Sequence, residues 1–394
     1  MSAPDAAATP DPSKLGGAAE LSADKITTST RDPQQLGARI GAWLATKLPA
    51  DAGPVVSDVV SPERNGMSSE TLLFTATWTE DGVRSERACV ARIEPEATAV
   101  PVFTSYDLDL QFAVMSLVGE ATEVPVPEPL WLETDPDAIG APFFVMGRVD
   151  GQVPPDVLPY TFGDNWFFDA APEAHAQVQD SAIRALAGIH AITPDTHDLG
   201  FLDLGTPGDS ALEAHLASWE AYLEWVTEGE RSPLLDECFA WLRANLPTDT
   251  APPALSWGDA RIGNMLFAGN EVAAVLDWEM AAVAPPEVDL GWMIYLHWFF
   301  QDLAVDLGVA GMPHLFAPRA VAERYEALTG TQLGDLRWHI AYSAMRHGVI
   351  MRRVTERAVL FGEAIRPADI DDMIIHRATL RAMLDGSYWA GLGL

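Results

Sequence analysis

The sequence predicts an α+β chain of two unequal lobes, a small N-terminal antiparallel β lobe followed by a large helical C-terminal lobe. Three observations carry this. Up to about residue 150, β-branched and aromatic runs such as "PVVSDVV", "TLLFTATWT" and "RACVARIEP" alternate with polar turns, the pattern of an antiparallel meander. Beyond that point the apolar spacing becomes helical. Val178, Ala182, Ala185, Ile189 and Ile192 recur at steps of 4, 3, 4 and 3, which is one helix face. The helical half is broken once, by "MLFAGNEVAAVLD", which reads as a hairpin around Gly269-Asn270.

Taken in order, residues 1 to about 30 are Ala/Pro/Asp/Thr-rich and aperiodic, and are expected to be a disordered tail. Leu36, Ile40, Trp43 and Leu44 then share one face of a helix over 30–48. After the three strands, a helix is expected over 107–118. "VPVPEPLWLE" and "APFFVMGRVDG" follow as two more strands, the second ending at Asp150-Gly151. The Pro-rich "QVPPDVLPY" comes next, so the lobe boundary falls near 151. The lobes are therefore 31–150 and 151–394. Pro172 suits an early helical position. Further helices fit 209–228, 233–245, 285–305, 318–328, 335–361 and 367–385, and no internal repeat is visible.

Composition narrows the function classes. The 394 residues are 48% hydrophobic and 21% charged, ordinary for a water-soluble chain. A net charge of −33 argues against a nucleic-acid partner, because phosphate backbones need clustered Lys and Arg. A single phosphate ligand is not excluded, since a local basic pocket or Mg²⁺ could hold it. Cys89 and Cys238 form no CxxC and indicate neither a disulfide framework nor a zinc site. The start, "MSAPDAAATPDPSKLGG", lacks the basic and apolar segments of a signal peptide. No apolar run approaches the roughly 18 residues that span a bilayer. A cytoplasmic protein with no membrane partner is expected.

The chemistry concentrates in "LSWGDARIGNMLF" and the hairpin after it. Asp259 is followed five positions later by Asn264, and Asp277 comes thirteen after that. With the turn between 269 and 270, Asn264 and Asp277 lie near the same open end, offset by roughly two residues or about 7 Å. Asp259 sits in the loop just upstream. Turn geometry alone can account for a lone Asp or Asn. Three oxygen-bearing side chains at one mouth suit Mg²⁺ that is also held by substrate phosphates.

"WGDARIGNMLF", "AAVLDWEMA" and "PPEVDLGWM" together resemble the catalytic and metal loops of the aminoglycoside phosphotransferase superfamily. Its acyl-CoA-metabolism branch has similar "GD-R-GN" and "LDWE" segments. The resemblance covers roughly residues 31–390 and is strongest over 255–293. It implies a bilobal protein-kinase-like fold that moves the γ-phosphoryl of ATP, or of GTP, to a hydroxyl of a small-molecule acceptor. Asp259 matches the catalytic Asp that orients and deprotonates that hydroxyl. Asn264 and Asp277 match the Mg²⁺ ligands, and Glu279 a second acidic group near the metal. Asp289 matches the Asp that braces the catalytic loop.

On the nucleotide side, "NGMSSETLLF" resembles the phosphate-covering loop, which implicates Asn65, Gly66, Ser68 and Ser69. "FFVMGRVDG" resembles the connector strand, whose backbone around Met146, Gly147 and Val149 would meet the purine. There are departures. Arg92 stands where the family usually keeps a phosphate-binding Lys. Gln111 stands where a Glu often pairs with that cation, with Asp107 or Asp109 as stand-ins. Trp257 takes the slot of a supporting His and is expected to pack. His190 is expected to be structural.

The acceptor site should lie beyond residue 290. Arg346, Arg353 and Arg357 form one stripe on a helix. They suit either a clamp for an anionic acceptor, such as the phosphates of coenzyme A, or a structural role, as ion pairing with neighbouring acidic helices or as a solvated face. The second is favoured. "YLHWFF" suits an apolar pocket or core packing. The acceptor class stays open between a hydroxyacyl-CoA and an aminoglycoside. A catalytically weak nucleotide-binding module is the non-enzymatic alternative, against which the intact Asp259, Asn264 and Asp277 argue.

Overall fold

The computed structural model describes residues 30–62, 69–96 and 99–394. The tail expected over 1–30 lies outside the described residues except for Thr30, as do Asn65, Gly66 and Ser68. Helix α1 (Pro33–Lys47) begins at Asp32, whose carboxylate accepts from the Gln34 and Gln35 amides. Strands β1 (Val55–Val60), β2 (Glu70–Glu80) and β3 (Val83–Ile93) form the meander. Helix α2 (Leu108–Ala121) and strands β4 (Pro129–Glu133) and β5 (Phe143–Gly147) follow. The sheet is antiparallel in the order β1-β2-β3-β5-β4. β4 is shorter than expected because Pro125 and Pro127 stay outside the ladder.

Alternation along β5 divides two cores. Phe143 and Val145 join Ile40, Trp43 and Leu44 of α1 in the small-lobe core. Phe144, between them, faces the other way and packs with Val114, Met115 and Val118 of α2. That second core runs without a break into the large lobe.

The large lobe contains α3 (Pro172–Ile189), α4 (Ala211–Thr227) and α5 (Pro233–Ala244). After these come β6 (Ala254–Ser256), β7 (Met265–Ala268), β8 (Glu271–Val275) and β9 (Ala282–Ala284). Helices α6 (Glu287–Asp306), α7 (Pro318–Thr329), α8 (Leu336–Leu360) and α9 (Arg377–Asp385) complete it. α6 and α8 cross closely at Gly291, where a Cβ would come within 2.7 Å of the His339 backbone. The β7–β8 hairpin forms as expected, whereas the β6–β9 pair does not show in the sequence because each strand is three residues long. The helix expected over 367–385 forms only from Arg377. Asp371 is instead buried in a 3₁₀ turn, accepting from Ser232 Oγ at 2.6 Å. No helix among the described residues is long and apolar enough to cross a membrane.

The Arg stripe on α8 corrects the expectation of a solvated face. Arg346, Arg353 and Arg357 are 0%, 6% and 2% exposed. Arg353 donates from Nε and Nη2 to the Pro101 carbonyl at 3.0 and 2.8 Å and stacks on Trp225. Pro101 belongs to the segment leading into α2. There Val102 packs with Met351 and Val354, and the Val102 carbonyl accepts from Tyr222 Oη at 2.8 Å. This strap ties the small lobe to α4 and α8.

Candidate active site

The β7–β8 register builds the site. Met265 pairs with Val275, and the Leu276 amide donates to the Asn264 carbonyl at 2.9 Å. A bulge between Leu266 and Phe267 removes one residue of the expected offset. Asp277 therefore lies one residue beyond the partner of Asn264. It takes φ +62°, a left-handed conformation that Asp tolerates better than most residues.

Asp259 sits in the loop between β6 and β7, held at both oxygens. Trp292 Nε1 of α6 donates to Oδ1 at 2.7 Å. Asn264 Nδ2 donates to Oδ2 at 2.6 Å. Arg261 Nε reaches both oxygens at 3.1 Å. Arg261 also pairs with Asp156, from the Pro-rich loop after β5. Burial disfavours the Arg261 charge, but Asp156 and Asp259 together hold its pKa above the ordinary guanidinium range. With its amide nitrogen turned to Asp259, Asn264 has its side-chain oxygen left for a ligand.

The loop backbone is fixed from behind. Gly258 has φ +91°, and a Cβ there would meet the Met280 carbonyl oxygen at 2.0 Å, so only Gly fits. The Trp257 indole donates to the Leu276 and Asp277 carbonyls at 2.9 and 3.1 Å. It thus pins the segment carrying Asp277, a role beyond the packing expected of it. Asp289, fully buried on α6, accepts from Ser256 Oγ and from the Trp257 and Gly258 amides at 2.7–2.9 Å. His190 Nε2 adds a fourth donor at 3.0 Å, leaving Nδ1 to accept from Tyr325. Burial pushes the Asp289 carboxyl up, but His190 and the other donors hold it below the ordinary carboxylate range. Asp289→Ala would strand all four donors. Stability should fall by about 3–5 kcal/mol, read as the shift in urea midpoint at unchanged slope; a loss under about 1 kcal/mol would refute the bracing role.

Arg92 Nη2 lies 3.3 Å from Asp277 Oδ1, and Nη1 3.4 Å from Thr71 Oγ1. The cation is thus drawn to the Asp277 carboxylate. Asp107 caps α2 through the Leu110 amide at 2.8 Å, and Gln111 Nε2 is buried without a partner among the described residues. The structure therefore gathers Asp259, Asn264, Asp277 and Arg92. Glu279 stands two residues on. Behind the effect of burial, its charge helps to push Tyr106 up to about 12, so its field also reaches the interlobe strap.

On the nucleotide side, the Gly147 and Arg148 amides already donate to the Glu128 and Ala88 carbonyls at 2.8 and 2.9 Å. The Val149 amide has no partner among the described residues. Met146 pairs within the sheet, opposite Val90. Ser69 is buried just before β2, with Oγ unpartnered among the described residues. Three residues that hold the site were not singled out from sequence: Arg261, Trp292 and Asp156. Arg261 lies inside the "GD-R-GN" segment, so its signal was present. Trp292 likewise lies inside "PPEVDLGWM", whereas Asp156 carries no local signal.

Among the described residues, no group of three or more His, Cys, Asp or Glu is set for a metal. The donors at hand are one carboxamide and one carboxylate, Asn264 and Asp277. Such a sparse set of hard oxygens fits Mg²⁺ that takes its remaining oxygens from water and a phosphate ligand. A cavity of about 10 Å³ lies beside Arg261, lined by Tyr160, Met293, Leu296, Phe300 and Phe316 among others. A groove of about 870 Å³ lies elsewhere, between α1 and the strap, and none of the residues gathered around Asp259 lines it.

Comparison with known proteins bears on the fold and the family. A Ralstonia eutropha protein classed as an aminoglycoside phosphotransferase superposes with TM-score 0.61 at 23% identity, over 90% of this chain and 98% of its own. The GDP complex of an aminoglycoside 2'-phosphotransferase-IIIa gives TM-score 0.51 at 15% identity, over 89% and 99%. Both likenesses are of fold. Among curated proteins, the probable acyl-CoA dehydrogenase IBR3 of Arabidopsis thaliana is 27% identical over 271 residues, 64% of this chain and 31% of that protein. Acyl-CoA dehydrogenase family member 11 of Rattus norvegicus is 27% identical over 246 residues, 62% of this chain and 29% of its own length. The chain thus spans under a third of these curated relatives. The family model described as "Phosphotransferase enzyme family" matches residues 76–324. With more than half of its length inside that match, and with the bilobal kinase-like fold around Asp259, the chain belongs to the phosphotransferase enzyme family.

Proposed function

We propose that this phosphotransferase moves the γ-phosphoryl of ATP, or of GTP, to a hydroxyl of a small molecule, with Asp259 as the catalytic carboxylate. Residues 31–150 form the nucleotide-binding lobe and 151–394 the catalytic and acceptor-binding lobe. The single observation that carries this is the Asp259 carboxylate, held by Trp292, Asn264 and Arg261, with Asp277 beside Asn264 on the paired strand.

Asp259 orients the acceptor oxygen in line with the phosphorus and accepts its proton as the bond forms. Arg261 and Trp292 keep that carboxylate from rotating. Arg92 is placed to lie against the phosphates once it leaves Asp277. The Val149 amide is the free hydrogen-bonding group offered to the purine edge. Asn264 Oδ1 and the Asp277 carboxylate would hold Mg²⁺, with Glu279 in support, and the bound ion would supply positive charge against the phosphates.

For the acceptor, one observation favours a neutral or anionic molecule, such as a hydroxyacyl-CoA, over a polycationic aminoglycoside: Arg261 puts a positive charge against Asp259. The relatives named acyl-CoA dehydrogenases point the same way. The buried Arg353 and Arg357 are engaged within the fold and are not the clamp.

The test is ADP release with ATP and Mg²⁺ across hydroxyacyl-CoA thioesters, simple hydroxy acids and aminoglycosides, alongside the thermal midpoint. ATP with Mg²⁺ should raise the midpoint by a few degrees, and EDTA should abolish most of the rise. A hydroxyacyl thioester should release ADP at least about 10-fold faster than any aminoglycoside. The reverse order sinks the acceptor reading. No turnover with any acceptor, despite nucleotide binding, favours a non-catalytic nucleotide-binding module.

A further inference from the structure

Helix α8 drives one side chain into the back of the catalytic loop. Arg346 is 0% exposed, and its guanidinium lies between the rings of Trp219 and Trp292, 4.7 and 4.5 Å from their centroids. Tyr342 closes a third side at 5.6 Å. Nη2 donates to the Gly258 carbonyl at 3.1 Å. Nε and Nη1 have no partner among the described residues.

Packing alone does not account for this residue. A buried cation with unmet donors is costly, and Met or Leu would fill the space without that cost. Burial opposes the charge, and the fields of Asp289 and Asp259 support it. What Arg346 touches is informative. Trp292 is the residue whose N–H reaches Asp259 Oδ1 at 2.7 Å. Gly258 is the peptide directly before Asp259, in the strained conformation that only Gly can take. A planar cation stacked on an indole restrains the ring's tilt. Arg346 therefore grips the catalytic carboxylate by two routes, one through a ring and one through the backbone.

We propose that Arg346 is a positioning residue for phosphoryl transfer, locking the Trp292 ring and the Gly258–Asp259 peptide as one unit that aims the Asp259 carboxylate. It reaches no substrate itself. The proposal rests on Asp259 being the catalytic group.

The experiment uses the full chain and compares Arg346→Met, Trp292→Phe, the double variant and Asp259→Asn. ATP turnover with Mg²⁺ is read together with hydrogen exchange of the peptide 255–264. Arg346→Met and Trp292→Phe should each lower kcat roughly 10- to 100-fold. KM for ATP should stay within about 2-fold of wild type. The double variant should fall little below the worse single variant, because both act through one unit. Exchange over 255–264 should rise in Arg346→Met while that over 175–189 does not. Unchanged kcat in Arg346→Met, losses that multiply in the double variant, or exchange that rises uniformly would each overturn the proposal. Should Arg346→Met not fold, Arg346→Lys keeps the charge without the planar stack and should show the same kcat loss and the same local exchange. If Asp259→Asn turns over like the wild type, the catalytic assignment fails instead. The exchange result then decides by itself whether Arg346 orders the loop.

Discussion

Asp259→Asn is expected to bind nucleotide like the wild type and to turn it over about 10²- to 10⁴-fold more slowly, the usual worth of a positioned general base. The substitution keeps the shape of the side chain. It removes the negative charge and one acceptor site, while three donors still point at the group, from Trp292, Asn264 and Arg261. An amide cannot accept at both ends, so one donor is left unmet at a cost of about 1–3 kcal/mol. That loss lowers the thermal midpoint without unfolding the chain. The nucleotide-dependent shift in midpoint should persist, because the groups proposed to hold the nucleotide are Arg92, Val149, Asn264 and Asp277. A variant that retains turnover within about 3-fold would remove Asp259 from the chemistry. A variant that loses nucleotide binding would instead point to a wider collapse of the site.

The second large effect is acid lability of the helical lobe. Burial holds His215 and His297 down to about 3, His339 and His376 to about 4, and His347 well below its ordinary value. In an unfolded chain each would titrate near 6.5. As pH falls below that value the unfolded state takes up protons that the folded state refuses. Stability is therefore complete above about pH 6.5 and drains as pH drops toward the folded-state values. At pH 5 each such His costs about 2 kcal/mol. His347 and His376 stack at 4.7 Å, so their contributions are coupled and the five do not simply add. Relief of self-repulsion works against this, since the chain carries −33. Ordinary carboxylates titrate near 4, so little of that relief arrives by pH 5. The urea midpoint should thus fall steeply between pH 7 and pH 5. His339→Leu tests the cause. Burial outweighs the one backbone contact of the His339 ring, with Asp335, so the variant should flatten the pH slope by up to about 1.4 kcal/mol per unit. Equal midpoints at pH 5 and pH 7 would defeat the argument.

The division of the chain was legible because period changes along it. The turn-separated runs of the meander and the steps from Val178 to Ile189 are local patterns, and both appear in the fold, with Ile192 just past the end of α3. Asp259, Asn264 and Asp277 were legible because a hairpin converts spacing into proximity. Even there a single bulge moved Asp277 by one residue, a shift no spacing rule contains. The role of Trp292 lay hidden for a different reason. It sits 33 residues beyond the carboxylate it holds, on a helix whose buried face is apolar nearly throughout. The Arg stripe misled because period alone reports a shared face and not what covers it. Here the cover was the loop ahead of α2, about 250 residues earlier in the chain.

That loop has a mechanical consequence. The two lobes are joined covalently past Gly147 and again, without a covalent bond, where Pro101 and Val102 meet Arg353 and Tyr222. The strap is not the whole of the joint: the core around Phe144 and α2 runs on into the helical lobe, Arg92 reaches Asp277, and the Val275 amide donates to the Pro125 carbonyl at 2.9 Å. Load between the lobes is therefore shared along a broad seam, and loosening the contact at Pro101 would free one edge of it while the rest stays seated.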